Sequence, residues 1–157
     1  MIQYGTMSPE ENLIAAGYTL PSFPAPGGNY LPAKTVGKLV YLSGAISTNE
    51  NGIVTGLAGD TATIEDGYAA AHLCALTQLA VLKQHLGSLD AIKSIVSVNG
   101  YVAAVHGFPD SPKIINGASD LLVQVFGESG KHVRAAIGVS SLPRNALVEL
   151  QMVVEIY

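Results

Sequence analysis

The sequence predicts an α+β fold in which two long helices pack on one face of a single mixed β-sheet. The predicted elements follow the order β-β-(β)-α-β-α-β-β. Each long helical segment has one apolar stripe, which is typical of helices that pack on one face of a sheet. The 157 residues are enough for one domain with a sizeable core.

The first 28 residues are predicted to form an arm on this domain. Ser8 is the expected cap of a short helix that has a proline in its first turn, and Gly17 ends that helix. Between residues 20 and 32, four prolines and two glycines predict an extended connector. We therefore divide the chain into an arm, residues 1–28, and a single domain, residues 29–157.

Two antiparallel strands are predicted over residues 30–36 and 39–45, with a two-residue turn between them. The second strand ends in the small residues Ser43-Gly44-Ala45. Small residues at a strand end leave room for a ligand to approach the backbone, but a bulge or a tight bend explains them equally well. A polar, glycine-rich loop follows over residues 47–59, with a short third strand expected near Ile53.

Both long helices have recognisable ends. Thr63 is the expected cap of the first helix, and Gly87 ends it. The second helix is expected to begin with Ser111 as its cap and a proline at its first position, and to end at Gly127.

Three strands complete the predicted sheet. The first covers residues 90–105, with a bulge or kink expected at Asn99-Gly100. The last two are joined by a turn of proline, arginine and asparagine, and we interpret them as a hairpin. If that hairpin pairs about its turn, Arg134 lies opposite Val153. Arg134 and Glu149 then share one sheet face, roughly 13 Å apart.

Arg134 and Glu149 are the candidate functional residues, because they are charges in otherwise apolar strands. An arginine can bind a carboxylate through two parallel hydrogen bonds, and a glutamate in apolar surroundings can act as an acid or a base. Being too far apart to pair in one chain, they could serve one ligand if a cleft between two chains brings them together. The alternative is an arginine satisfied by backbone carbonyls and a glutamate in an interface salt bridge.

Composition bears on the partners of the protein. Apolar residues make up 48% of the chain and charged residues 13%, which favours subunit contacts over a well-packed monomer. No long helix is left to cover the second sheet face, so we expect neighbouring subunits to cover it. A net charge of −4 with only 8 Lys and Arg indicates no basic patch, and no nucleic-acid partner is expected.

Several other kinds of site lack a motif. The sequence has no Gly-x-Gly-x-x-Gly, Walker or Gly-x-Ser-x-Gly pattern, and its four histidines do not show metal-ligand spacing. The single Cys74 excludes an internal disulfide and fits a reducing compartment. With no membrane-spanning apolar run and no leader-like start, we expect a cytoplasmic protein without a membrane partner.

The last two strands resemble a known family signature. The pattern Arg134-x(4)-Val139-x(2)-Leu142-Pro143-x(4)-Val148-Glu149 is similar to that of the Rid family of reactive intermediate deaminases, also called the YjgF or L-PSP endoribonuclease family. The resemblance covers roughly residues 30–157. It implies a chorismate-mutase-like α+β fold, assembled as a homotrimer with clefts between subunits.

This chain departs from the family pattern at three positions. It has His132 where members usually have proline or alanine, and Leu150 where they have isoleucine or methionine. It has Ala136 where many deaminases have cysteine.

The resemblance also implies a reaction. Arg134 would hold the carboxylate of a small 2-imino or 2-enamino acid. Glu149 would position or activate the water that attacks the imine carbon and releases ammonia, leaving a 2-keto acid. No metal or organic cofactor is required, because orientation and charge stabilisation suffice for an imine that hydrolyses readily.

Five further positions are implied to border the substrate. Tyr30 would be a wall of the cleft and a hydroxyl donor, and Ser43 and Gly44 would border the ligand. Asn116 would form a hydrogen bond from the second helix, and the backbone of Ala136 would donate to the carboxylate. The residues alone leave alternatives open: sheet packing for Tyr30 and a helix-side hydrogen bond for Asn116.

Two other functions stand beside the deaminase. One is a regulatory protein that binds a small carboxylate without catalysis, which would need Arg134 but not Glu149. The other is a ribonuclease or translation inhibitor, which the acidic balance of the chain disfavours.

Overall fold

The computed structural model describes residues 7–22 and 25–157. The first six residues of the predicted arm and Pro24 of its connector lie outside this part of the chain. Helix α1 (Pro9–Ala15) begins after Ser8, as predicted. The Ser8 Oγ accepts a hydrogen bond from the Glu11 N–H, and the Glu11 carboxylate accepts one from the Ser8 N–H.

Eight strands lie in the described residues, and most of them form one mixed sheet. In chain order they are β1 (Ala33–Val36), β2 (Leu39–Leu42), β3 (Ala45–Ile46), β4 (Thr48–Asn49), β5 (Gly52–Ile53), β6 (Ile92–Ala103), β7 (Val133–Val139) and β8 (Val148–Ile156). The sheet order is β1-β2-β8-β6-β7, with β3 also paired to β8. The short strand expected near Ile53 is β5, which pairs only with β4 in a small hairpin within the predicted polar loop.

Two long helices, α2 (Ile64–Leu86) and α3 (Ser111–Phe126), pack on one face of this sheet, so the predicted fold class is confirmed. Thr63 caps α2 through a reciprocal pair of hydrogen bonds with Asp66, and Gly87 ends it in the left-handed conformation. The prediction that Ser111 caps α3 is wrong by one residue. Asp110 occupies the cap position, and Ser111 starts the helix with its hydroxyl buried and unpaired among the described residues.

The close approach of α3 to the sheet depends on Gly100 in β6. A Cβ at this position would lie 2.5 Å from the Ile115 Cδ1. The bulge predicted at Asn99-Gly100 is wrong, because pairing with β8 is regular there and the register shifts lie nearer the start of β6. The glycine makes room for a helix side chain rather than for a bend.

The hairpin predicted for the last two strands is also wrong. β7 pairs in parallel with β6, which places Arg134 beside Val98. β8 pairs antiparallel with the opposite edge of β6, where Tyr101 lies beside Glu149. A parallel pair needs a crossover connection, and α3 supplies it between β6 and β7. β6 therefore separates the two strands that a local reading of the turn would pair.

The sheet face turned away from the two helices is rich in apolar side chains. In β7 the outward positions include Val133, which is 70% exposed, and Ile137, which is 49% exposed. On the same face, near the other edge of the sheet, Val36 in β1 and Tyr41 in β2 are also exposed. Within the described residues no helix covers this face. Exposed apolar patches of this kind are typical of interaction surfaces.

Candidate active site

A cleft of about 470 Å³ lies beside the break between β2 and β3. Its walls come from the end of the connector, one side of α2, the turn that precedes β8, and β8 itself. Four predicted site residues line it: Tyr30, Ser43, Gly44 and Glu149. The small residues at the end of the second predicted strand therefore mark both a break in the sheet edge and a wall of the cleft.

Glu149 enters the cleft from β8. Its neighbours Val148 and Leu150 are completely buried against the helices, so the alternation of the strand directs Glu149 to the opposite face. A Cβ at Gly44 would lie 3.1 Å from the Glu149 Cδ, so glycine makes room for the carboxyl group. Burial raises the pKa of Glu149, with no charged partner contributing.

Ser43 fixes the shape of the break through three hydrogen bonds. Its N–H donates to the Pro32 carbonyl at 2.9 Å, and its hydroxyl donates to the Leu31 carbonyl at 2.6 Å. Its own carbonyl accepts from the Gln78 Nε2 at 2.9 Å. Tyr30 is 52% exposed, and its hydroxyl accepts a hydrogen bond from the Gly27 N–H at 3.3 Å. The connector is thereby tied to the strand that borders the cleft.

The other predicted residues lie at the far edge of the sheet. The Arg134 Nη1 donates to the Asn116 Oδ1 at 2.8 Å and to the Ser119 Oγ at 3.1 Å. Its Nη2 donates to the Pro112 carbonyl at 3.4 Å. An arginine has five N–H donors, so two remain without an acceptor in the described part of the chain. α3 thus orients an exposed guanidinium that still has donors to offer.

Ala136 belongs to the same group. It lies two residues beyond Arg134 on the same side of β7, beside Gly100 of β6. β7 forms an edge of the sheet among the described residues, so alternate backbone N–H groups on its outer side lack a strand partner.

One chain does not bring the two groups together. Arg134 lies beside Val98 on the helix side of the sheet, whereas Glu149 leaves the opposite face, so the predicted shared face is wrong. Two strand spacings across and three residues along separate their Cα positions, on the order of 14 Å. The reason is the insertion of β6 between β7 and β8, which changes both the register and the face.

Two cleft residues were not singled out from the sequence. Gln78 projects from α2, is only 1% exposed, and has a buried Oε1 without a hydrogen-bond partner in the described residues. Arg144 lines the cleft from the turn before β8, with φ at +56°. Neither residue could be recognised easily as part of a site. Glutamine in a helix and arginine in a turn usually lie on the solvated surface, so their presence in the sequence is weak evidence for a cleft.

The described residues lack two further features. They contain no cluster of three or more histidine, cysteine, aspartate or glutamate residues arranged to hold a metal ion. Nor do they contain a helix both long and apolar enough to cross a membrane.

Comparison with known proteins extends over almost the whole chain. Residues 10–156 match the family model described as "YjgF/chorismate mutase-like, putative endoribonuclease". A Trypanosoma cruzi protein named Protein TCP17 is 39% identical over 92% of this chain and 92% of its own length. A 2-iminobutanoate/2-iminopropanoate deaminase from Dermatophagoides farinae is 31% identical over 87% of this chain and 92% of its own length.

A solved structure from Shewanella oneidensis, described as "a putative endoribonuclease", superimposes closely. Its TM-score is 0.91, with 36% sequence identity over 96% of this chain and all of that chain. The likeness therefore extends over almost the whole of both chains.

Proposed function

Since this chain belongs to the YjgF/chorismate mutase-like family, we propose that it is a deaminase of small 2-imino and 2-enamino acids. It converts them to 2-keto acids and ammonia in clefts between the subunits of a cytoplasmic homotrimer. The observation that carries the proposal is the Arg134 guanidinium, which α3 holds in place with two N–H donors to spare. The name of the Dermatophagoides relative, an imine deaminase, supports the same chemistry.

Arg134 binds the substrate carboxylate. A guanidinium and a carboxylate form parallel, charge-assisted hydrogen bonds, and Asn116 and Ser119 fix the orientation of the guanidinium before the substrate arrives. The cost of ordering a flexible arginine is thus already met in the folded chain. A lysine at this position would keep the charge but lose the planar fork.

Glu149 supplies the base. Its carboxylate accepts a proton from water as the oxygen attacks the carbon of the protonated imine. The resulting carbinolamine takes a proton on nitrogen, the C–N bond breaks, and ammonia leaves as the carbonyl forms. A raised pKa makes Glu149 a stronger base than an exposed glutamate, because burial destabilises its charged form.

The assembly completes the site. Arg134 and Glu149 lie on opposite faces of one sheet, so one ligand can reach both only if they come from two chains. The apolar face with Val133 and Ile137 offers the surface for such an association. A closed ring of three copies gives every copy one Arg134 half-site and one Glu149 half-site in the same kind of contact.

The first test measures catalysis. We expect wild-type protein to accelerate the decay of 2-aminoacrylate and 2-iminopropanoate formed from serine by a pyridoxal-phosphate enzyme, with Arg134→Ala and Glu149→Ala inactive. A wild-type protein that changes no decay rate overturns the proposal. Binding of a small carboxylate that is lost in Arg134→Ala but kept in Glu149→Ala, without turnover, would instead favour the regulatory protein. RNA cleavage by nuclease-free preparations would favour the ribonuclease.

The second test asks which chains supply the site. Arg134→Ala and Glu149→Ala chains are unfolded together, refolded as mixed oligomers and assayed. If each site takes the two residues from different chains, a 1:1 mixture recovers about one quarter of wild-type activity. Each variant refolded alone is the control and stays inactive. A mixture as inactive as the controls, beside an active refolded wild type, places both residues in one chain and contradicts the intersubunit cleft.

A further inference from the structure

Arg144 is a charge in the cleft that the proposed reaction does not use. It lies in the turn between β7 and β8, and it lines the same cavity as Glu149. Among the described residues, the Arg144 side chain forms no ion pair within 4.0 Å and no hydrogen bond. The ion pairs that occur there are formed by lysines. An uncommitted arginine that lines the same cavity as Glu149 is available to an anionic ligand.

The backbone holds Arg144 in an uncommon conformation. Arg144 and Asn145 have φ of +56° and +59°, and they are the non-glycine residues with positive φ in the described chain. Asparagine tolerates this region, but arginine has no intrinsic preference for it. The turn is closed by hydrogen bonds from the Asn145 N–H to the Leu142 carbonyl and from the Ala146 N–H to the Pro143 carbonyl. The position of Arg144 is therefore defined by the turn rather than by packing of its side chain.

Gln78 is the second, independent observation. Its side chain is almost completely buried, and one amide hydrogen donates to the Ser43 carbonyl at 2.9 Å. Its Oε1 has no donor among the described residues, although Gln78 lines the cleft. A buried acceptor without a donor is costly, so we expect the surroundings of Gln78 to adjust when the site is filled. The cleft thus has an uncommitted cation and an uncommitted acceptor on its own chain.

The cleft is also large for the smallest substrates. A volume of about 470 Å³ lies within the range of roughly 300–1,000 Å³ found for pockets that enclose drug-sized ligands. A three-carbon imino acid has six non-hydrogen atoms. Space and polar groups remain after one carboxylate and one imine are placed.

We infer that the preferred substrates are 2-imino dicarboxylic acids, whose second carboxylate binds Arg144 while the first binds Arg134 of the neighbouring chain. This inference rests on the proposed deaminase. Glu149 stays free to activate water. The reaction remains hydrolysis: the C=N bond is replaced by C=O, water supplies the oxygen, and ammonia leaves with the proton of the iminium.

The experiment compares two substrates made in the same way. A flavin oxidase forms 2-iminosuccinate from aspartate, and another forms 2-iminobutanoate from 2-aminobutanoate; trapping with semicarbazide reports the imine that remains. The variant is Arg144→Asn, because asparagine keeps the left-handed turn and removes the charge. Arg144→Lys keeps a cation, and Lys93→Asn is the matched control for loss of one positive charge elsewhere.

In wild type we expect kcat/KM for 2-iminosuccinate to exceed that for 2-iminobutanoate. The ratio of the two should fall at least about tenfold in Arg144→Asn, as expected for loss of a charge-assisted contact. Arg144→Lys should retain most of the ratio, and Lys93→Asn all of it. A wild type that prefers 2-iminobutanoate, or an Arg144→Asn ratio equal to that of wild type, overturns the inference while leaving the deaminase intact. A wild type inactive on both substrates overturns the deaminase itself.

Discussion

The Ser119 hydroxyl donates a hydrogen bond to the His132 Nε2 across 2.9 Å. The His132 Nδ1 lies 2.7 Å from the Gly130 carbonyl, which can only accept, so in the neutral imidazole Nδ1 carries the proton and Nε2 is the acceptor. The lone pairs of the Ser119 oxygen are then free to accept from the Arg134 Nη1 at 3.1 Å. His132 thus acts on Arg134 through Ser119, without a direct hydrogen bond to the guanidinium.

The first prediction concerns this chain of hydrogen bonds. Ser119→Ala removes one of three acceptors that hold the guanidinium, so Arg134 is less well ordered before the substrate binds. We expect KM to rise about fivefold, the equivalent of roughly 1 kcal/mol, with kcat little changed. Steady-state kinetics on 2-iminopropanoate provide the measurement.

Two variants make the first prediction specific. His132→Ala should raise KM by less than Ser119→Ala does, because Ser119 can still accept from Arg134. Ser129→Ala, which removes a hydroxyl that donates to the Phe126 carbonyl, should leave KM unchanged. A loss of kcat at constant KM in Ser119→Ala would contradict the positioning role.

The second prediction concerns the pH dependence of the reaction. Because burial raises the pKa of Glu149, its carboxylate becomes protonated at a higher pH than an exposed glutamate does. If the carboxylate is the base, kcat/KM falls as pH decreases through that raised pKa. We expect the acid limb of the profile above the usual glutamate pKa of about 4.3.

Variants separate Glu149 from other titrating groups. Glu149→Gln should be at least about a hundredfold slower and should lack this acid limb, since general-base catalysis contributes on that order. A limb at the same pH in wild type and Glu149→Gln would show that another group titrates.

Sequence patterns were sufficient to predict both ends of α2 and to single out Arg134 and Glu149 as candidates. Thr63 and Gly87 were predictable because capping is local chemistry: a side chain bonds to a backbone three residues away, and glycine accepts a left-handed turn. Arg134 and Glu149 stand out because charges are rare in apolar strands. Each of these signals depends on a few neighbouring residues.

The relation between Arg134 and Glu149 could not be predicted in the same way. Pro143 and Asn145 indicate a turn, but a turn does not decide whether the strands on either side pair with each other. β6 competes for both partners, since the α3 crossover favours a parallel pair with β7 and leaves its other edge for β8. Arg144 could not be predicted as a cleft residue for a similar reason. A turn pattern indicates the backbone conformation of its residues, but it does not indicate where their side chains lie.

The third prediction concerns the exposed sheet face. Ile137 projects from β7 on the side away from the helices and is 49% exposed. A charge placed there would be buried without a partner when subunits associate, which is strongly unfavourable. We expect sedimentation equilibrium to show a trimer for wild type and a monomer for Ile137→Asp, with loss of activity in the variant.

A matched change tests whether position matters. Ile14 on α1 is 75% exposed but lies on the arm, so Ile14→Asp should remain trimeric and active. Circular dichroism of both variants checks that each chain still folds. A monomeric wild type, or an Ile137→Asp protein of unchanged mass, would contradict assembly through this face.

The last prediction concerns the attachment of the arm to the domain. The Glu10 carboxylate accepts hydrogen bonds from the Leu89 N–H at 3.0 Å and the Ser88 hydroxyl at 3.2 Å, and it pairs with Lys83 at 3.2 Å. The backbone hydrogen bond from Leu89 is the main cause of a lowered pKa for Glu10, with Lys83 adding to it. A lowered folded-state pKa means that the unfolded chain binds protons more readily, so the contribution is present above a pH of about 4.3 and is lost as pH falls through the folded-state value.

Glu10→Gln should therefore lower the free energy of unfolding by about 1 kcal/mol at pH 7, measured by urea titration. The difference from wild type should close as pH decreases below the usual glutamate pKa, because wild-type Glu10 then becomes neutral as well. Glu50→Gln, in the exposed turn between β4 and β5, is the control and should change little at either pH. A Glu10→Gln deficit that stays constant from pH 8 to strongly acidic pH would show that packing, rather than the charge of the carboxylate, joins the arm to the domain.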